Sequence, residues 1–295
     1  MRVACDRYPR SGAKNNCLPA EGMVPSRQHI PVYMDGEELC MKIRVLGCHG
    51  SQLPHHNTTS FFLEKSILVD AGTVTTVLSL EEQLRIDYVF VTHAHLDHVR
   101  DITFLVDNLY YAKRERPLTV CSSRGIIENL HRHLFNNVIW PDFSKIPSAK
   151  APLIKFEILA PGRKKILGDW QVRAIGVHHT VETIGFMMES KGKAVLFLGD
   201  TGPTDGVWKV ARRMKGLKAV FIETSLPSSM QGIADKTGHL TPVTLMGELK
   251  KLKDAKPKIY LYHMKPRYAE AIRREVTAIQ DRKIHIIEDG QAIRI

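Results

Sequence analysis

The apolar positions of this chain come in short runs, and the first sustained one opens at Met41 with Met-Lys-Ile-Arg-Val-Leu-Gly-Cys. Short runs of β-branched or aromatic residues bounded by turn formers predict strands. Strands are expected at 42–48, 59–63, 66–70 and 87–92, then at 118–121, 153–159, 170–177, 183–189 and 194–199. Three more are expected at 219–223, 258–262 and 284–288. Apolar positions at helical spacing predict helices near 75–84, 98–113, 123–135, 205–215, 241–252 and 266–280. Strands interleaved with helices in this way predict an α/β fold of two sheets flanked by helices. Residues 1–40 show no sustained apolar period and are rich in Pro, Gly, Ser and Asn. They read as a poorly ordered extension ahead of one domain spanning 41–295. Met41 is a candidate natural start, which would place the extension outside the native protein.

Composition narrows this picture. With 295 residues and 43% hydrophobic content, the chain can bury a large core in a single domain. It has no run of eighteen apolar residues, so no transmembrane helix is expected, and its first twenty residues lack the apolar stretch of a secretory signal. The expected location is the cytoplasm. Cysteines at 5, 17, 40, 48 and 121 form no C-x-x-C pair, which argues against a disulfide framework or a zinc knuckle. The net charge is +11, and residues 1–40 carry five basic and five acidic side chains, so the excess belongs to 41–295. A basic body attracts anions such as phosphodiesters, nucleotides or nucleic acid. Solvated lysines in the tract 250–258 account for such a charge equally well.

The chemistry concentrates after the strand expected at 87–92. His93, Ala94, His95, Leu96, Asp97 and His98 place four metal-ligand side chains within six residues. His93 and His95 are two apart, so on extended backbone their imidazoles share one side, while Asp97 and His98 fall where a helix should start. Three protein ligands and a water complete a catalytic zinc site, so a fourth ligand points to a second metal close by. Two metals about 3.5–4 Å apart can clamp the attacking and leaving oxygens of one substrate. Further ligands are expected at strand ends, where α/β folds gather their sites. The candidates are His179 or its neighbour His178, then Asp200, whose carboxylate can offer one oxygen to each metal, and His263. Imidazole and carboxylate suit zinc first, with manganese or iron as alternatives.

His93–His98 matches the H-x-H-x-D-H signature of metallo-β-lactamase-fold hydrolases. In the form His-Ala-His-Leu-Asp-His it resembles the class II 3′,5′-cyclic-nucleotide phosphodiesterases. Several later blocks are similar to that family as well: His179–Phe186, Gly199–Pro203, Glu223–Ser225, Gly238–Pro242, His263–Pro266 and the stretch His133–Phe143. The resemblance spans about 42–290 and implies a four-layer αββα sandwich. It implies that His93, His95 and His179 hold one metal and that Asp97, His98 and His263 hold the other. Asp200 and a hydroxide would bridge the two. It further implies that Asp70, in Ile67–Gly72, orients a ligand through a hydrogen bond.

The expected reaction is hydrolysis of a 3′,5′-cyclic nucleotide, cyclic AMP or cyclic GMP, with Asp97, His239 and Glu223 as candidate catalytic residues. His239 is the candidate proton donor to the leaving alkoxide, oriented by Glu223. Asn136 and Asn137 are candidate nucleobase contacts, since amides read base edges, while Trp140 reads as a core residue. His55, His56, His131 and His133 read as solvated. The expected partner is thus a small cyclic nucleotide rather than a membrane or a nucleic acid, and a homodimer is a candidate assembly. Three rival readings are a tRNA 3′-processing nuclease, a thioester, lactone or β-lactam hydrolase, and a non-catalytic binding module. The nuclease suits the charge, but such enzymes usually carry a long glycine-rich arm between the third and bridging motifs. Here only the short segment Thr180–Gly199 separates them.

Overall fold

The computed structural model describes residues 40–295. The extension expected over 1–40 lies, apart from Cys40, outside the described residues, as do Cys5 and Cys17. In chain order the strands are β1 (Lys42–Gly47), β2 (Ser60–Leu63), β3 (Ile67–Val69), β4 (Tyr88–Phe90) and β5 (Leu118–Ser122). A two-stranded ribbon, β6 (Pro147–Ser148) and β7 (Ala151–Pro152), precedes β8 (Ile154–Ile158). The second half supplies β9 (Lys164–Leu167), β10 (Trp170–Gly176), β11 (Ile184–Ser190), β12 (Lys193–Phe197) and β13 (Leu217–Glu223). It ends with β14 (Lys258–Tyr262), β15 (Ile284–Ile286) and β16 (Ala292–Arg294). The helices are α1 (Leu80–Gln83), α2 (Leu96–Tyr111), α3 (Arg124–His133), α4 (Gly206–Ala211), α5 (Gln231–Thr237), α6 (Pro242–Lys250) and α7 (Ala269–Ala278).

Two mixed seven-stranded sheets result, ordered β16-β1-β2-β3-β4-β5-β8 and β15-β14-β13-β12-β11-β10-β9. In the first, β3, β4, β5 and β8 run parallel. In the second, β12 to β15 run parallel while β9 to β12 are antiparallel. This is the α/β metallo-β-lactamase-type architecture that the resemblance implied.

Strand alternation divides the core. On β12, Val195 and Phe197 join one apolar cluster and Ala194 and Leu196 the other. β13 repeats the pattern, with Ala219 and Phe221 on one side and Val220 and Ile222 on the other. The period of two follows from side chains alternating across a pleated strand. The larger cluster lies between the sheets and continues to α2 and α3 through Ile102, Val106 and Ile126. The smaller packs the outer face of the second sheet under α4, α6 and α7 through Trp208, Leu245 and Ile272. The seam between the sheets is aromatic: Phe61 meets Phe197 and Phe221 at ring separations of 5.1 and 5.3 Å, and Phe90 meets Phe186 at 5.4 Å. Phe221 also stacks on Phe197 and Tyr260 at 4.5 and 4.9 Å. Phe221→Ala is therefore expected to cost about 3–5 kcal/mol of stability, read by chemical denaturation. A loss under about 1 kcal/mol would mean that the seam repacks.

Several expectations need correction. The helix expected near 75–84 is only Leu80–Gln83. Asp101 accepts hydrogen bonds from the Val74 and Thr75 N–H groups and holds that segment in turns. Ser79 then caps the helix in a capping box with Glu82. β9, β16 and α5 were not foreseen. On β16 only Ile293 is buried, and on α5 only Ala234, so neither shows an apolar stripe. No helix among the described residues is long and apolar enough to cross a membrane.

Candidate metal centre

The site forms where the two sheets meet at one end. The backbone leaving β4 carries His93 and His95, and α2 begins straight after, with His95 at its N-cap and Asp97 and His98 in its first turn. The second sheet contributes His179 after β10, Asp200 after β12 and His263 after β14. Asp70 and His263 take left-handed backbone, with φ of +56° and +66°, turning sharply out of β3 and β14. A Cβ on Gly50 would strike the backbone and ring of His263, so glycine there lets the two segments close.

Ligand-capable atoms fall into the two groups that the resemblance implied. His93, His95, His179 and Asp200 form one, and Asp97, His98 and His263 form the other, each with its atoms within 4.8 Å of one another. Of the competing pair at 178–179, it is His179 that enters the cluster, whereas His178 is exposed. Asp200 faces both groups. Its Oδ2 lies 3.7 Å from His93 Nε2 and 3.2 Å from His263 Nε2, and its Oδ1 lies 3.4 Å from His98 Nε2. Asp97 Oδ2 is 3.3 Å from His263 Nε2.

The tautomers test whether these groups fit cations. His98 Nδ1 donates to Asp70 Oδ2 at 2.8 Å, and His179 Nδ1 donates to the Gly238 carbonyl at 2.9 Å. Thr92 Oγ donates to Asp70 and so accepts from His93 Nδ1 at 3.0 Å. Ser225 Oγ donates to Glu223 and so accepts from His263 Nδ1 at 3.0 Å. With Nδ1 as the donor, every Nε2 in this set is a bare lone pair. His98 Nε2 and His263 Nε2 then face each other at 3.2 Å. Two lone pairs repel at that distance unless a proton or a metal cation lies between them. Tetrahedral ligands at zinc distances sit about 3.3 Å apart, so the spacing suits coordination. His179 Nε2 is buried and has no hydrogen-bond partner. The residues therefore fit a pair of divalent cations.

Charge supports the same conclusion. Burial holds the His93, His95 and His179 imidazoles below their ordinary pKa, hence neutral and able to ligate. His98 differs: burial opposes its charge, but the Asp200 and Asp70 carboxylates outweigh it and raise that group, so a proton and a metal compete for its Nε2. Burial likewise disfavours charged Asp200, yet His263 and His98 hold it well below the carboxylate range. Such buried carboxylates demand positive charge close by, from a proton or a metal.

Beside this cluster lies a second pair. Glu223, wholly buried at the end of β13, accepts from His239 Nδ1 at 2.7 Å and from the Thr201 N–H at 2.9 Å. Burial opposes charge on His239, but the Glu223 carboxylate outweighs it and raises the pKa. His239 can also be grouped with Asp200 and His263 as a ligand set. The structure does not bring Asn136 and Asn137 into the cluster. Asn136 Oδ1 accepts from the Val138 and Ile139 N–H groups and its amide donates to the Arg132 carbonyl, while Asn137 Oδ1 accepts from the Asp142 N–H. Trp140 is partly buried against the core and its ring meets Phe104 at 5.3 Å.

Thr92, Ser225 and the Gly238 carbonyl were missed by sequence reasoning. Thr92 sits beside the His93–His98 motif, and Ser225 and Gly238 lie within the 223–225 and 238–242 blocks, but nothing in their type announces a role in fixing a tautomer. Asp70→Asn tests such support. The amide cannot accept from Thr92 and His98 with a full charge, so metal affinity is expected to fall 10- to 100-fold in a chelator competition assay. An unchanged affinity would show that His98 needs no such orientation.

Residues 65–264 match the family model described as a β-lactamase superfamily domain. The chain belongs to this metallo-β-lactamase superfamily of hydrolases. Among curated relatives, 3′,5′-cyclic-nucleotide phosphodiesterase 1 of Saccharomyces cerevisiae is 26% identical over 190 residues, covering 56% of this chain and 50% of the relative. Ribonuclease Z of Haloarcula marismortui is 26% identical over 164 residues, covering 52% of this chain and 50% of the relative. The chain thus spans half the length of each. Among solved structures, unliganded yeast PDE1 superposes with a TM-score of 0.75 at 19% identity, covering 87% of this chain and 99% of that one. The chain is related about equally to the two kinds of enzyme.

Proposed function

We propose that this protein is a two-metal phosphodiesterase that hydrolyses 3′,5′-cyclic nucleotides, cyclic AMP to 5′-AMP and also cyclic GMP. The reading includes action in the cytoplasm and zinc as the first candidate metal, with manganese or iron as alternatives. The observation that carries it is the His239–Glu223 pair beside a ligand set built for two cations. A 3′-alkoxide is a poor leaving group, so opening the cyclic diester needs a proton donor close to the metals.

In this reading His93, His95, His179 and Asp200 hold one cation, and Asp97, His98, His263 and Asp200 hold the other. Bound divalent cations supply Lewis acidity and lower the pKa of coordinated water to near 7. The first-turn N–H groups of α2 add positive potential toward the phosphate. His239 donates its Nε2 proton to the departing 3′ oxygen as the P–O bond breaks. Glu223 accepts from Nδ1 and stabilises the imidazolium before the transfer, and the neutral imidazole left afterwards regains its proton from solvent. Thr201 N–H, Ser225 Oγ–H and Leu240 N–H donate to Glu223 and fix its position.

A nuclease reading is favoured by the +11 charge and by the ribonuclease Z relatives. Against it, the chain between His179 and Asp200 forms only the β11–β12 hairpin, turning at Lys191–Gly192, with no long arm. The test is to assay metal-loaded protein on cyclic AMP, cyclic GMP, 2′,3′-cyclic nucleotides and a tRNA precursor, with metal analysis on the same sample. Turnover of the 3′,5′-cyclic nucleotides is expected. Cleavage of the precursor alone, with steeply salt-dependent binding, would replace this reading with the nuclease.

A further inference from the structure

We infer that the cavity beside His95 is the subsite that seats the organic half of the ester, and that it is shaped for a purine. The inference rests on the phosphodiesterase reading above.

The cavity, of about 380 Å³, lies between the start of α2, the outer face of α3 and the 181–182 loop. One wall is His95 itself, a member of the ligand set, so the cavity adjoins the metal cluster. A molecule whose phosphate sits at the metals would reach it by extending past the His95 ring. Its other walls are largely apolar, with Val99 and Leu130 beneath and Leu96 and Val181 at the mouth. Leu96 is 66% exposed and Val181 39%, so both present apolar surface at the opening. Such walls suit the faces of a flat heterocycle.

Besides His95, the polar lining groups are Asn129, His133 and Glu182. Asn129 and His133 are four apart on α3 and so share one side of the helix. The Glu182 carboxylate lies where a Cβ on residue 125 would be, so Gly125 leaves it a seat over the first turn of α3. The positive end of that helix favours the charge there. An amide offers donor and acceptor together, the pattern that pairs with the adenine edge, and a carboxylate accepts from exocyclic amines or the guanine N1–H. Sequence reasoning assigned base recognition to Asn136 and Asn137 and left His133 solvated, whereas the cavity assigns it to Asn129, His133 and Glu182.

The test compares two products, adenosine 5′-monophosphate and ribose 5-phosphate, titrated calorimetrically into the metal-loaded protein. The ratio of their affinities reports the base alone. The native protein is expected to bind the nucleotide about tenfold more tightly. Asn129→Trp, which fills the mouth from an exposed helix position, is expected to bring the ratio near one. Asn129→Ala is a milder change that keeps the fold, and it should lower the ratio about threefold. Equal affinities in the native protein, or a ratio that survives both substitutions, would overturn the subsite. Turnover of bis(p-nitrophenyl) phosphate by the same sample separates the two levels. Turnover with equal affinities removes the subsite and keeps the phosphodiesterase, whereas no phosphodiester turnover removes the parent reading.

Discussion

Asp200→Ala is expected to strip most metal from the protein, lowering affinity by more than about 100-fold. Loss of a group that merely orients a ligand already costs 10- to 100-fold, and Asp200 faces both ligand groups at once. Its two oxygens approach His93, His98 and His263 within 3.2 to 3.7 Å. Without them, the imidazole nitrogens of both groups keep their lone pairs but lose the shared negative charge that offsets two cations. Metal analysis after dialysis reads the result, with circular dichroism as a check that the fold persists. Two equivalents of metal per chain in the variant would mean that Asp200 does not bridge.

His239→Ala is expected to leave metal content intact and to slow hydrolysis of cyclic AMP by about 10²–10⁴, the usual worth of a positioned proton donor. The loss should shrink on bis(p-nitrophenyl) phosphate, because p-nitrophenolate departs without a proton. That contrast separates the donor from a ligand. His239 also groups with Asp200 and His263. Were it a metal ligand, the alanine variant would lose metal and slow on both substrates alike. The geometry favours the donor, since Nδ1 is held by Glu223 and Nε2 is left for the substrate. An unchanged rate on cyclic AMP would dismiss the role.

Much of this was readable from the chain because two kinds of signal are local. Strands such as β12 and β13 alternate buried side chains on both faces, which writes a continuous apolar run into the sequence. The His93–His98 cluster is local as well, since four ligands on one turn need no tertiary context to be recognised. His179, Asp200 and His263 became visible as single polar residues at the ends of such runs. What escaped depends on contacts between distant segments. Thr92 reaches back 22 residues to Asp70, and Ser225 reaches forward 38 to His263, so neither role has a sequence spacing of its own. The base-reading amides were sought beside the aromatic stretch at 136–140, where the structure shows loop-closing bonds. Asn129 stood unmarked on a helix face whose neighbour, the 181–182 loop, arrives from fifty residues further on. β16 was invisible for a related reason, since one buried isoleucine between two exposed residues carries no pattern.

That last strand has a bearing on synthesis. β16 lies against β1, with Lys42 opposite Arg294, so the edge of the first sheet is covered only by residues at the far end of the described chain. His263 also arrives late, well after His93 to His98. While the ribosome is still at work, the early histidines hang from a sheet with a bare edge and an unfinished ligand set. The group of His93, His95, His179 and Asp200 is complete by residue 200, whereas the group of Asp97 and His98 waits for His263 and the β1 edge waits for 292–294. A chain halted before residue 263 would carry one ligand group without the other and an unpaired β1 edge, a natural client for chaperones.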